Sequence, residues 1–427
     1  MYKKLSKVLA LMCVFAILLS MAACTTEPAA NTDTGATPTA AANAEPAKEI
    51  EFWTVFTGPD GENMVKMIDE YNKTNPKIKV KHVPIQADEL YQKIPTAVQS
   101  GQSVPDLSIV HVERIRGFVD NGLLQPIDDY IAQNGKIKAD NYVKSAWERG
   151  DVDGKHYSVP LDVHSFVTYY NKDLVAKYAP TALDDGVVTF DEVKKAGEAA
   201  KKDKIISMGI TWMRVKFLSW FDQLGGVLSE DGTNPSFANE KGEKVLNTVK
   251  ELHDTGYTNV DGEDPVQMFR AGQVIFLPEG IWMKNSFEEI STLDFGMTHM
   301  ITFDPAKKSN WTSSHQMVMF KNPDMNSERA AAVMDFIAWI GENSLEWAKA
   351  GQVPACLSIT KNPEFKNMKQ SFLLDDADSL KIFDYTYFGY AVEALDKIVW
   401  EVPFGRMETK AALEKAQKEV LDRIANK

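Results

Sequence analysis

The chain has 427 residues and a formal net charge of −13, with 44% hydrophobic, 25% charged and 10% aromatic residues. Those are globular proportions, and they exclude a collagen-like repeat, a coiled coil and wholesale disorder. The acidic balance repels phosphate backbones and excludes nucleic acid as the expected partner, and three cysteines are too few for a disulfide framework.

Residues 1–23 read as an export leader. Lys3, Lys4 and Lys7 precede the unbroken apolar run Val8–Leu19, which is too short to span a bilayer but suits a signal peptide. Met21-Ala22-Ala23-Cys24 resembles a bacterial lipobox with Met21 in place of the usual leucine, so Cys24 is expected to carry lipid and become the new N-terminus. The plainer alternative is ordinary signal cleavage with Cys24 a bystander. Residues 24–48 form the lipidated cysteine and a disordered tether of Ala, Thr and Pro, which has no apolar bulk to offset ordering entropy. Its root-mean-square reach is roughly 25–30 Å. With Cys13 removed and Cys24 acylated, Cys356 has no partner and reads as a small buried hydrophobe.

Glu49–Val55 is a predicted strand, and the turn cluster Thr57-Gly58-Pro59-Asp60-Gly61 opens a helix with Met64, Met67, Ile68 and Tyr71 on one face. Ile78–Val83 alternates as a strand, Tyr91–Ser100 is helical, and Pro105–Val112 reads as a buried strand. This alternation predicts βαβ units and a largely parallel sheet. Further on, Phe190–Asp203 and Lys241–Thr255 are predicted helices, Ile205–Thr211 and Val274–Leu277 strands, and Pro278–Trp282 a turn. Arg329–Ile340 and Lys410–Ala425 are amphipathic helices, the last with Leu413, Ala416, Val420, Leu421 and Ile424 inward. Two α/β lobes with a ligand cleft at their junction follow.

Hydrolase elbows, zinc-protease helices and phosphate or dinucleotide loops are all missing, and the seven histidines contain no i, i+4 pair. No cofactor or metal is expected. The nine tryptophans say more. Trp147, Trp339, Trp347 and Trp400 read as core, whereas Trp282 follows an apolar strand and Trp212 ends one. A flat ring at a strand exit can serve as a platform for the C–H face of a sugar; the blander reading of both is a lid over the core.

Four stretches carry a family resemblance. They are Ile50-Glu51-Phe52-Trp53 through Thr57–Gly61; Pro105-Asp106-Leu107 with Asn121-Gly122-Leu123-Leu124; Asp153-Gly154-Lys155 with Tyr169-Tyr170-Asn171-Lys172-Asp173-Leu174; and Phe269, Gly272 and Gly280-x-Trp282. In order and spacing the body resembles family 1 extracellular solute-binding proteins of carbohydrate ABC importers. The resemblance implies an α/β two-lobe, periplasmic-binding-protein-like fold with a hinge and an interlobe cleft. It places the first lobe at 49–163 plus 314–350 and the second at 164–313 plus 351–427. By position it implies ligand contacts from Phe56 and Thr57, from His111 and Glu113, and from Asp162 and His164 at the first crossing between lobes. Trp212 joins these, with Trp282 at the Gly-x-Trp turn, Trp311 and His315 flanking the second crossing, and Tyr387.

The implied protein is a monomeric, non-enzymatic receptor anchored through Cys24 at the extracytoplasmic face of the bacterial cytoplasmic membrane. It captures a soluble sugar, an oligosaccharide by preference, and delivers it to the permease subunits of its importer. A receptor for a polyol or sugar phosphate, or a surface-anchored carbohydrate-active hydrolase, is the alternative.

Overall fold

Alternating apolar residues from Ile50 onward begin the first strand, which is also where the described structure begins: the computed structural model describes residues 49–426. The leader, Cys24 and the tether lie outside those residues. Strands run in chain order as β1 (Glu49–Thr54), β2 (Lys79–Pro84), β3 (Leu107–His111), a short hairpin of β4 (Asp151–Val152) and β5 (Lys155–His156), β6 (Ser158–Pro160) and β7 (Asp162–Asn171). They continue as β8 (Ile206–Met208), β9 (Val274–Gly280), β10 (Phe295–Thr298), β11 (Asn310–Ser313), β12 (His315–Val318), β13 (Val353–Pro354) and β14 (Leu380–Lys381).

The first sheet has the order β2-β1-β3-β12-β6. Its β1, β2 and β3 pair in parallel, with the helices Gly61–Lys73 and Ala87–Ser100 between them in the chain. Met64, Met67, Ile68 and Tyr71 are all buried, as their spacing predicts. The expectation of a largely parallel sheet stops there. Strand β12 lies antiparallel to both β3 and β6, because it enters the sheet directly from the second sheet with no crossover helix to turn it round; β6 beyond it runs in the direction of β1–β3.

The second sheet has the order β14-β11-β7-β9-β8, with β10 and β13 also on β7. Ten-residue β7 pairs antiparallel with β9, β10, β11 and β13. It is buried on both faces, so its sequence lacks the polar alternation of a half-exposed strand. Two predicted boundaries change here. The strand expected over Ile205–Thr211 spans only Ile206–Met208, and the turn expected at Pro278–Trp282 is strand as far as Gly280. The two changes are linked. Strand β8 pairs with β9 only at Val274 and Phe276, so Pro278 lies beyond its end and its missing N–H breaks no ladder bond on that side.

Phe52, Met67, Ile109, Phe336 and Ile337 are in the core beside the first sheet, and Phe217, Trp220, Leu246, Ile275 and Leu395 are in a core of the second. The last helix, Thr409–Ala425, buries Leu413, Ala416 and Val420, but Leu421 is exposed and Ile424 only half-buried. Cys356 is a buried free thiol. No helix among the described residues is long and apolar enough to cross a membrane.

The chain passes between the sheets at three adjacent places. Leu161 alone separates β6 from β7, and Ser314 alone separates β11 from β12. The third passage leads from the helix Leu345–Lys349 to β13, where Pro354 pairs with Asp162. The backbone of Leu161 ties all three: its N–H donates to His315 O (2.8 Å), and its carbonyl accepts from Ala355 N (3.0 Å).

Burial pushes His82 and His299 down to about 4, so both resist protonation in the fold. Between that value and the ordinary histidine range the unfolded chain binds more protons, so stability is complete above about pH 6.5 and falls as pH drops toward 4. Urea denaturation at pH 5 is expected to give about 1–2 kcal/mol less stability per such histidine than at pH 7.5. The variant His82→Gln removes its share of that slope.

Candidate ligand site at the passages between the sheets

Asp162 opens β7 and has no exposed surface. Its two carboxylate oxygens take four donors. Oδ1 accepts from His164 Nδ1 (3.0 Å) and His315 N (3.1 Å). Oδ2 accepts from His315 Nδ1 (2.7 Å) and Trp347 Nε1 (2.6 Å). Its backbone carbonyl accepts from Ser314 Oγ (2.6 Å). Burial alone raises its pKa, but His315, with the hydrogen bonds from both rings, outweighs that and holds the carboxyl well below the usual range. An ionised carboxylate only accepts, so both imidazoles present Nδ1–H to it and leave Nε2 as their second ring nitrogen.

His111 ends β3 and faces His315 across the sheet register. Its Nδ1 lies 2.5 Å from Tyr91 Oη, which also accepts the His111 backbone N–H (3.0 Å). The rings of His111, His164 and His315 cluster, with centroids 4.1 Å apart for His164–His315 and 5.0 Å for His111–His315. Burial pushes His111 down to about 3 and also lowers His164. Glu113 follows in the short turn Val112–Arg114 and accepts from Ser313 Oγ (2.8 Å), so a first-sheet acid is bonded to the end of β11. Burial pushes its carboxyl up, yet His111, its own backbone N–H and Ser313 hold it low overall. Neighbouring Arg114 lies over the Tyr91 ring.

The second sheet contributes an aromatic wall centred on Phe166. Trp282 (5.4 Å), Trp311 (5.9 Å) and Trp212 (6.5 Å) all stand edge-on to its ring. Trp282 is half-buried and Trp311 buried. Gly280 makes the Trp282 pose possible, because a Cβ there would meet the indole at 2.2 Å. Trp212 is 54% exposed and sits at φ 41°, in the left-handed region that costs a non-glycine residue of order 1–3 kcal/mol. Buried Lys216 holds the preceding Thr211 by its carbonyl and by its hydroxyl (2.6 Å), and Thr211 in turn donates to Pro278 O (3.1 Å). Burial lowers the pKa of Lys216, and nearby Glu279 opposes that.

Of the residues expected at the site, the structure brings His111, Glu113, Asp162, His164, Trp282, Trp311 and His315 into one continuous group. Trp212 joins it through Phe166. Glu113, Trp311 and Tyr387 line a groove of about 410 Å³. Phe56 is buried beneath the histidines, its ring against His315 (4.8 Å) and Trp347 (4.5 Å), so it supports the group from behind. Thr57 is exposed on its loop, and no hydrogen bond ties its side chain to the group. The sequence reading missed Trp347, filed with the core, and Tyr91, filed within a helix; neither residue type advertises a polar partner 185 or 20 positions away. It also missed Asp60, whose pKa burial raises and which interacts with both His315 and Asp162.

A family model described as bacterial extracellular solute-binding protein matches residues 66–372. The chain belongs to that family. Among curated relatives of this solute-binding protein, a putative binding protein of Brucella abortus is 24% identical over 77% of this chain and 78% of its own. The arabinooligosaccharide-binding protein of Halalkalibacterium halodurans is 23% identical over 83% of this chain and 80% of its own. Among solved structures, an ABC substrate-binding protein of Listeria monocytogenes in complex with cycloalternan superposes with a TM-score of 0.77. It is 20% identical and covers 89% of this chain and 100% of its own, which shows a shared two-lobe fold.

Removing the acceptor tests the role of Asp162 in this solute-binding protein. Asp162→Ala strands four donors from three chain passages and is expected to cost about 3–5 kcal/mol in urea denaturation. Glu113→Gln keeps an acceptor for Ser313 and is expected to cost about 1 kcal/mol or less.

Proposed function

We propose that the protein is the substrate-binding lipoprotein of an ABC importer, that its solute is a sugar, with an oligosaccharide favoured, and that it binds without chemical turnover. The carrying observation is the composition of the site. An aromatic wall (Trp212, Trp282, Trp311) adjoins charged and mixed donor–acceptor groups (Glu113, His111, His164) where the sheets meet. Flat rings suit the apolar faces of pyranose units, and carboxylate and imidazole groups suit their hydroxyls. The strain held at Trp212 supports the reading, since an exposed indole in a costly conformation packs no core.

The lobes are proposed as 49–163 plus 314–350 and 164–313 plus 351–427, closing on the sugar and thereby presenting a shape to the permease. The ligand shifts the open–closed balance by its differential affinity. The protein works as a monomer at the extracytoplasmic face of the membrane, held by lipid on Cys24.

A thermal-shift panel of mono- and oligosaccharides tests the solute class. A true ligand at 100 times its Kd adds about 2.7 kcal/mol of stability, and release of shorter sugars during incubation identifies a hydrolase instead. Trp282→Ala is expected to weaken sugar binding by about 2–4 kcal/mol, and Trp212→Ala by about 2 kcal/mol with stability changed by less than about 0.5 kcal/mol. Loss of stability with unchanged affinity assigns either ring to the core. Cys24→Ser is expected to abolish lipid labelling and free the protein from the membrane fraction; retention unchanged removes the anchor.

A further inference from the structure

We propose that His111, His164 and His315 form a binding site for one divalent transition-metal ion of the zinc class, with a fourth position open to water or a solute oxygen. One ring nitrogen from each of the three lies within 4.8 Å of the other two. Two nitrogens bound 2.0–2.1 Å from one tetrahedral metal are about 3.3 Å apart, a contraction that small ring rotations supply.

The outer contacts are those of a metal site. Asp162 accepts Nδ1–H from both His164 and His315, which orients both rings with Nε2 on the side away from the carboxylate. Tyr91 Oη stands against His111 Nδ1 at 2.5 Å and orients that ring from the corresponding side. Metal-ligating histidines commonly have an oxygen partner on their second nitrogen, and here all three have an oxygen at Nδ1. Three imidazoles with an open fourth position match the donor set of zinc sites that keep a free coordination place.

Charge is the independent observation. Asp162 and Glu113 both stand within this group, and among the described residues neither has a lysine or arginine within ion-pair distance. Two acidic side chains beside three imidazoles, with no basic side chain paired to them, suit a bound cation.

The site coincides with the proposed sugar cleft, and the inference rests on that reading for its place alone. The test therefore omits saccharide. The full chain, stripped with EDTA, is titrated with Zn²⁺ alone by calorimetry against a competing chelator, and Co²⁺ absorption reports the geometry. One Zn²⁺ per chain is expected, with the intense visible d–d band of tetrahedral Co²⁺. His111→Ala and His164→Gln are each expected to lower Zn²⁺ affinity about 100-fold or more, while His253→Gln, outside the group, leaves it unchanged. His164→Gln disturbs Asp162; if it unfolds the protein, His111→Ala decides, because that ring bonds neither carboxylate oxygen. Absence of saturable Zn²⁺ binding, or affinity unmoved in His111→Ala, overturns the site. The saccharide panel repeated in EDTA reports on the receptor reading separately, so either reading can fail alone.

Discussion

A single buried carboxylate governs how the two sheets are joined. Asp162 belongs to the first passage, His315 and Ser314 to the second, and Trp347 precedes the third; all three passages converge on that one residue. A lone carboxylate without exposure costs several kcal/mol, and only saturation of both oxygens makes it tolerable. The residues supplying that saturation are therefore placed by the charge itself. Two of them, His164 and His315, then cluster with the ring of His111. The architecture of the passages and the chemistry of the site are one arrangement.

The two sides of the site differ in kind. First-sheet elements bring His111, Glu113 and Tyr91, which are polar and tied by hydrogen bonds. The second sheet brings rings held by packing on Phe166 and, at Trp212, by a strained backbone braced through Lys216 and Thr211. A solute touching both sides gains hydroxyl recognition from one and apolar stacking from the other. On the proposed reading, such a solute favours whichever arrangement brings the two sides together, and that differential affinity is what closure requires.

Much of this was legible in the sequence. The helix carrying Met64, Met67, Ile68 and Tyr71 follows from 3.6-residue periodicity, and the Gly280-x-Trp282 pair marks a ring at a strand exit. Periodicity could not give strand direction, so the antiparallel β12 and most of the second sheet were missed: β7 is buried on both faces and carries no alternation to read. Nor could spacing reveal the histidine group. His111, His164 and His315 come from three distant segments and meet only because β3 pairs with β12 and Asp162 holds the other two. Asp162 and His164 were singled out by position, whereas Trp347 looked like core; it is core on one face and a hydrogen-bond donor at its edge.

The ties at Leu161 and Asp162 have a mechanical consequence. Three independent tethers would let two bodies slide, twist and rock, each with its own soft direction. Here the passages share backbone bonds at Leu161 and one acceptor at Asp162, which forbids sliding of one passage past another. For the two lobes proposed above, rotation about the shared passages is the motion these ties leave easiest, as in a caliper. On that proposal the gap between the indole wall and Glu113 would open by angle and not by offset, so solutes of different length would meet the same pair of jaws.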